Sequence, residues 1–243
     1  MKAVAIDLGS NTFQILYVQF KPDPFQIQKA KLETFPYLLK RKIENGTFNP
    51  ADLREFLESL RKKALEYKPD CFKAVATAAW RQYPQLESIL IKAIPEARII
   101  SGEEEAALTL RAIKHLIKPD DFSAIDLGGG SIEIISSHHN IEELSSINAG
   151  TAELLKVFPY DKYPHFKQML DDTVNFLEDL YPAKRLQSHI IGVGGAFHSL
   201  PNIVLIKAGL TKDPVFSDFS PFPLKQDVPI PFIKDYISTW LNR

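Results

Sequence analysis

Two stretches hold the residues best suited to phosphate and metal chemistry, AIDLGSNTFQIL at 5–16 and AIDLGGGSIEII at 124–135. In each, an apolar strand reaches Asp and runs through Leu into Gly, so a carboxylate stands beside backbone N–H groups that can face an anion. Gly9 in the first turn and Gly128, Gly129 and Gly130 in the second let a phosphate approach the main chain. Ser10, Asn11, Thr12 and Ser131 add side-chain donors. Asp7 and Asp126 are hard oxygen ligands of the kind that hold Mg²⁺ together with waters and substrate phosphates. A single such turn reads equally well as a tight β-hairpin. Its repetition argues for pseudo-symmetric domains whose turns face each other across a cleft.

Overlaying the copies aligns Gln14, seven residues after Asp7, with Glu133, seven residues after Asp126. The slot is polar in both, within otherwise apolar strands. A carboxylate there costs free energy unless it is paired, hydrogen-bonded or metal-bound, which favours contact with a metal or water. An exposed Glu on an edge strand is the plainer alternative.

A second acidic cluster lies in SGEEEAALTLRAIKHL, 101–116. Ser101 followed three residues later by Glu104 forms a capping box, which commits Glu104 to the helix end and leaves Glu105 for other work. Acidic residues in a first turn also complement the helix dipole without further purpose. Ala106 and Ala107 allow this helix end to sit close to another surface. In IIGVGGAF, 190–197, a strand–turn–helix carries Gly192, Gly194 and Gly195. This fits either anion binding at a helix N-terminus or close strand–helix packing. No GxxxxGK[ST] occurs, and no Ser–His–Asp or metal-histidine spacing stands out. His138-His139 reads as part of a solvated polar turn.

These residues need elements to position them. Strands are expected at Lys2–Leu8, Phe13–Phe20 and Phe25–Phe35, then a helix with Asn49 as N-cap and Pro50 in its first turn. A strand at Phe72–Ala76, a helix over Gln85–Ala93, a strand at Ala97–Ile100 and a helix from Gly102 to about Ile117 complete the order βββαβαβα. The pattern restarts with strands Phe122–Leu127, Ile132–Ser136 and Ile141–Ile147, helices from Thr151 and over Phe166–Leu180, and a strand His189–Val193. Two domains of similar construction follow, 1–119 and 120–243, with Lys118–Asp121 as the boundary. The second is expected to be shortened and to carry an irregular proline-rich tail at 213–231.

The 243 residues are 45% apolar and 24% charged with a net charge of -1, which excludes a disordered chain, a nucleic-acid footprint and a polybasic membrane patch. Cys71 is the only cysteine, so there is no internal disulfide or multi-cysteine metal site, and a reducing compartment fits. With no bilayer-spanning stretch and no signal-peptide pattern, a cytoplasmic protein is expected.

DLGSNTFQIL, ATAAWR (76–81), IISGEEEA (99–106), AIDLGGGSIEI (124–134) and IGVGG (191–195) together resemble the exopolyphosphatase and guanosine pentaphosphate phosphatase family. That family belongs to the actin, hexokinase and Hsp70 fold superfamily. The resemblance implies an α/β protein with two ribonuclease-H-like (actin-like) domains and an interdomain cleft. It also implies Mg²⁺-dependent removal of terminal phosphate from polyphosphate or guanosine pentaphosphate, with no nucleic-acid or membrane partner and a homodimer allowed. By position, Glu105 resembles the glutamate that activates the attacking water, with Glu133 as its catalytic companion. Asp126 and Glu133, with Asp7, resemble the metal-holding carboxylates. Asp7, Gly9, Ser10, Asn11, Gly128, Gly129, Gly130, Ser131, Gly194 and Gly195 resemble the phosphate-cradling loops, and Arg81 the arginine on the phosphate chain. The chain departs from the family in several places. Thr is usual where Ile132 and Ala196 stand, Ala-x-Asn where Gln82-Tyr83-Pro84-Gln85 follows the arginine, and an RLG-type segment where Phe35–Leu38 stands. Two further functions fit the same fold: a catalytically impaired module that senses nucleotide or polyphosphate, and an ATP-dependent kinase or ATPase.

Overall fold

Alternating burial along the N-terminal strands sets the first sheet. Val4, Ile6 and Leu8 on β1 (Lys2–Leu8) and Phe13, Ile15 and Tyr17 on β2 (Thr12–Pro22) are buried, while the residues between them are not, as period-two side-chain placement requires. A computed structural model describes residues 1–116, 121–139, 141–163, 166–180 and 190–194. After β3 (Phe25–Pro36) come α1 (Leu39–Glu44), α2 (Pro50–Glu66), β4 (Cys71–Ala76), α3 (Ala78–Gln82), α4 (Glu87–Ala93), β5 (Ala97–Ile99) and α5 (Gly102–Leu116). The second series is β6 (Phe122–Leu127), β7 (Ile132–His138), β8 (Ile141–Ile147), α6 (Thr151–Val157), α7 (Phe166–Leu180) and β9 (Ile190–Val193).

The first sheet has the order β3-β2-β1-β4-β5 and the second β8-β7-β6-β9. Hairpins make β1–β2–β3 and β6–β7–β8 antiparallel, whereas connections through helices bring β4 beside β1 and β9 beside β6 in parallel. The expected restart is therefore present in the topology as well as in the order of elements. Two short helices, α1 and α3, are additions to the expected βββαβαβα order. Neither has a side-chain N-cap bond, and at six and five residues they are too short to show a 3.6-residue period. A 3₁₀ turn, Pro84–Leu86, precedes α4, which begins at Glu87 rather than Gln85. The strand expected from His189 is described from Ile190, and the helix after Gly195 and the tail at 213–231 lie outside the described residues.

Met1–Glu105 forms one compact unit, and the described residues from Ala106 onward form most of another. This partition precedes the expected 119/120 boundary, which itself lies outside the described residues. Ala106, Leu110 and Ile113 of α5 pack with Phe122, Ala124 and Ile135, so most of the helix belongs to the second core. In the first unit, Leu53, Leu57, Leu60 and Ala64 of α2 bury one helical face against the strands, at about 1.5–3 kcal/mol for each large apolar side chain. Asn49 caps α2 as expected, its side-chain oxygen accepting from the Ala51 N–H at 2.9 Å. No helix among the described residues is long and apolar enough to cross a membrane.

Leu38, in the segment that departs from the family pattern, is left-handed at φ 55°. Its N–H donates to the Asn11 carbonyl at 2.8 Å, which holds it in that conformation. An L-residue there costs roughly 1–2 kcal/mol, partly offset by the greater unfolded-chain freedom of glycine. We expect Leu38→Gly to raise stability by about 0.5–1 kcal/mol, read from the denaturant midpoint at unchanged m.

Candidate active-site residues

Strand register aligns the repeated turns residue by residue. In the first sheet Val75, Asp7, Gln14 and Thr34 form one row across β4, β1, β2 and β3. In the second, Val193, Asp126, Glu133 and Ser146 form the matching row across β9, β6, β7 and β8. The seven-residue spacing seen in the sequence is thus a cross-strand pair in both units, and a third polar residue extends each row. Gln14 Nε2 donates to Thr34 Oγ1 at 3.4 Å, and Ser146 Oγ donates to Glu133 Oε1 at 2.8 Å.

Glu133 is not an exposed edge residue. It lies on a strand with neighbours on both sides and is 1% exposed. Asp126 is partly buried, and burial pushes its carboxyl above the ordinary value, while the Thr109 hydroxyl donating to Oδ2 at 3.2 Å works the other way. Gly194 brings β9 against this carboxylate: at φ +91°, a Cβ there would stand 2.9 Å from the Leu127 carbonyl oxygen and 3.0 Å from Asp126 Oδ1. This favours the close-packing reading of that glycine. Gly195 lies outside the described residues.

The loop Gly128–Ser131 is anchored by α6. Thr151 and Ala152 donate their backbone N–H groups to the carbonyls of Gly128 and Gly129 at 3.0 and 2.8 Å, and Gly128 N–H donates to the Ser131 carbonyl at 3.0 Å. Gly150 makes the approach possible, since a Cβ at that position would lie 2.5 Å from backbone atoms of Gly129, Gly130 and Ser131.

In the first unit the turn is held by the segment entering α1. The Asn11 carbonyl accepts the N–H groups of Tyr37 and Leu38 at 3.0 and 2.8 Å, and the Gly9 N–H reaches the Thr12 carbonyl at 3.1 Å. Phe13, Tyr37 and Phe56 stack beneath it, with ring centroids 5.0 Å apart for both Phe13–Tyr37 and Tyr37–Phe56. Asp7 is exposed, unlike Asp126. Ser10 is buried, and its Oγ has no hydrogen-bond partner among the described residues.

The capping box is present: Glu104 N–H donates to Ser101 Oγ at 3.1 Å, and Ser101 N–H donates to Glu104 Oε2 at 3.0 Å. Glu105, spared from capping, accepts at Oε2 from Arg81 Nη1 at 2.9 Å, and the same Nη1 donates to the Ile100 carbonyl at 2.9 Å. Arg81 Nη2 is buried and has no hydrogen-bond partner among the described residues. Sequence reasoning missed Lys40, which is 3% exposed and donates to Gln82 Oε1 at 2.6 Å. Gln82, a departure from the family pattern, thereby holds a buried cation whose own N–H donates to the Ser10 carbonyl at 3.4 Å. Thr109, Ser146 and Gly150 were missed too, and of these only Gly150, directly before a helix, left a signal in the sequence.

Two mixed sheets that repeat one strand order, each with an acidic turn at the equivalent strand end, define a duplicated α/β protein. The chain belongs to the Ppx/GppA phosphatase family, which matches residues 40–195. It is similar to a guanosine-5'-triphosphate,3'-diphosphate pyrophosphatase of Vibrio atlanticus, at 26% identity over 222 residues, covering 83% of this chain and 43% of that protein. The chain thus spans less than half the length of this curated relative. The crystal structure of the Aquifex aeolicus Ppx/GppA member matches with a TM-score of 0.73 at 22% identity, over 100% of this chain and 79% of that one. An exopolyphosphatase from Cytophaga hutchinsonii matches with a TM-score of 0.59 at 21% identity, over 88% and 72% of the two chains. These likenesses show a common fold.

Two variants test the geometry. Gly150→Ala should destabilise by at least about 1–3 kcal/mol, because rigid backbone rather than a flexible side chain must move, as read by thermal or denaturant unfolding. Asp126 in its protonated form adds stability that is fully present below its unfolded value of 3.8 and is lost as pH rises through the raised native value. Asp126→Asn should therefore be the more stable protein at pH 7 in metal-free buffer, with the gap closing as unfolding is measured at progressively lower pH.

Proposed function

We propose that this protein is a Mg²⁺-dependent phosphohydrolase that removes terminal phosphate from inorganic polyphosphate or a guanosine pentaphosphate. The observation that carries the reading is the row Asp126–Glu133–Ser146, in which two carboxylates stand opposite each other and one is 1% exposed. Thr109 and Ser146, which donate to Asp126 Oδ2 and Glu133 Oε1, are neutral hydroxyls. The row's hard oxygen donors fit Mg²⁺, with Asp126 and Glu133 as the ligands and Asp7 as the corresponding carboxylate of the first unit. Bound there, Mg²⁺ would neutralise charge on phosphate oxygens.

The chain's own groups supply the rest. Arg81 orients Glu105 through Nη1, placing a carboxylate as general base for a water attacking the terminal phosphorus in line with the leaving oxygen. The buried Nη2 of Arg81 and Oγ of Ser10 are donors suited to phosphate oxygens. Main-chain N–H groups of the loops around Gly9 and Gly128–Gly130 provide further fixed dipoles. The names of the Vibrio and Cytophaga relatives support the two substrate types.

The test is phosphate release from polyphosphates of graded length, guanosine pentaphosphate and ATP, with and without Mg²⁺. We expect Mg²⁺-dependent release that falls about 10²-fold or more in Glu105→Gln and in Glu133→Gln, with circular dichroism unchanged. Mg²⁺ should raise the Tm of the wild type but not of Glu133→Gln. Tight binding without turnover on any substrate would instead identify a sensing module. ATP consumption that needs a second, hydroxyl-bearing substrate would identify a kinase.

A further inference from the structure

At the other end of β6, the structure assembles a second set of metal-ligand side chains. Asp121 immediately precedes β6, His138 ends β7, and the pairing of Phe122 with Ser137 carries Asp121 towards His138. Adjacent residues of a strand point to opposite faces, so neighbouring histidines do not normally converge. Here His139 leaves the strand in the left-handed region at φ 48°, and the two rings come together with centroids 3.9 Å apart. Asp121 Oδ2 lies 2.9 Å from His138 Nδ1 and 3.7 Å from His139 Nδ1. All three ligand atoms fall within 4.8 Å of one another.

We propose that Asp121, His138 and His139 bind a divalent transition-metal ion of the zinc type. Metal–nitrogen and metal–oxygen bonds of about 2.0–2.1 Å in a tetrahedral site put donor atoms roughly 3.3 Å apart, and the 2.9 and 3.7 Å carboxylate–imidazole separations bracket that value. The carboxylate is already oriented by a backbone bond, with the His139 N–H donating to Asp121 Oδ1 at 2.9 Å. Two imidazoles and one carboxylate favour zinc, cobalt, nickel or copper over magnesium, and exposure at this edge leaves the fourth position to water. Asp126 lies five residue steps along the strand from Asp121, roughly 17 Å, so this site is separate from the proposed Mg²⁺ ligands and does not depend on that reading. The ion would tie the start of β6 to the turn between β7 and β8.

The full-length chain, stripped of metal, is titrated with Co²⁺ and then Zn²⁺. We expect one cobalt ion with the visible d–d absorption of a four-coordinate site, displaced by zinc, and a zinc-dependent rise in Tm. Both responses should persist in Glu133→Gln. His138→Gln and His139→Gln, which keep polarity and size, should each weaken cobalt binding at least about tenfold. No such absorption in the wild type, or an unchanged spectrum in the double variant, would overturn the assignment. If the variants fail to fold, zinc should protect His138 and His139 of the wild type from diethyl pyrocarbonate, and equal modification with and without zinc would count against the site.

Discussion

Opposing carboxylates on adjacent strands are the constraint around which the second unit is arranged. Asp126 and Glu133 share one row of the sheet, on the face that α5 covers with Ala106, Leu110 and Ile113. Removal from water raises the cost of charge on Asp126. The hydroxyls of Thr109 and Ser146 satisfy acceptor sites without introducing countercharge. The sheet therefore carries two carboxylates in one row where apolar side chains would have avoided the cost of burial.

The first unit shows what the same scaffold looks like with half of that charge removed. Its row holds Asp7, Gln14 and Thr34 in the same register, but Gln14 is neutral and Asp7 faces solvent. The polar groups of interest here are donors instead: Ser10 Oγ, Arg81 Nη2 and the buried ammonium of Lys40. Among the described residues the buried charged side chain is thus a cation, Lys40, in one copy and a carboxylate, Glu133, in the other.

Much of this was legible in the residues, for identifiable reasons. The spacing from Asp to Gln or Glu survives folding because a tight hairpin converts a sequence offset into a cross-strand pair, so Asp126 and Glu133 could be matched before the sheet was known. The capping box around Ser101 was readable because both partners lie within one helical turn. Contacts that depend on distant segments were not. Ser146 meets Glu133 only through the register of a third strand, and Thr109 meets Asp126 only once α5 lies on the sheet. Lys40 was hidden because its helix is short and its partner Gln82 comes from another helix. The convergence of His138 and His139 depends on one left-handed residue, where strand alternation predicts divergence.

The tight seat of Gly150 against the glycine loop has a thermodynamic corollary. Because α6 spends its leading amides on the carbonyls of Gly128 and Gly129, the cradle takes shape as the chain folds and needs no guest to order it. An anion bound there, as proposed above, would surrender little affinity to loop organisation, and the same close packing would favour ligands that already match the loop's curvature.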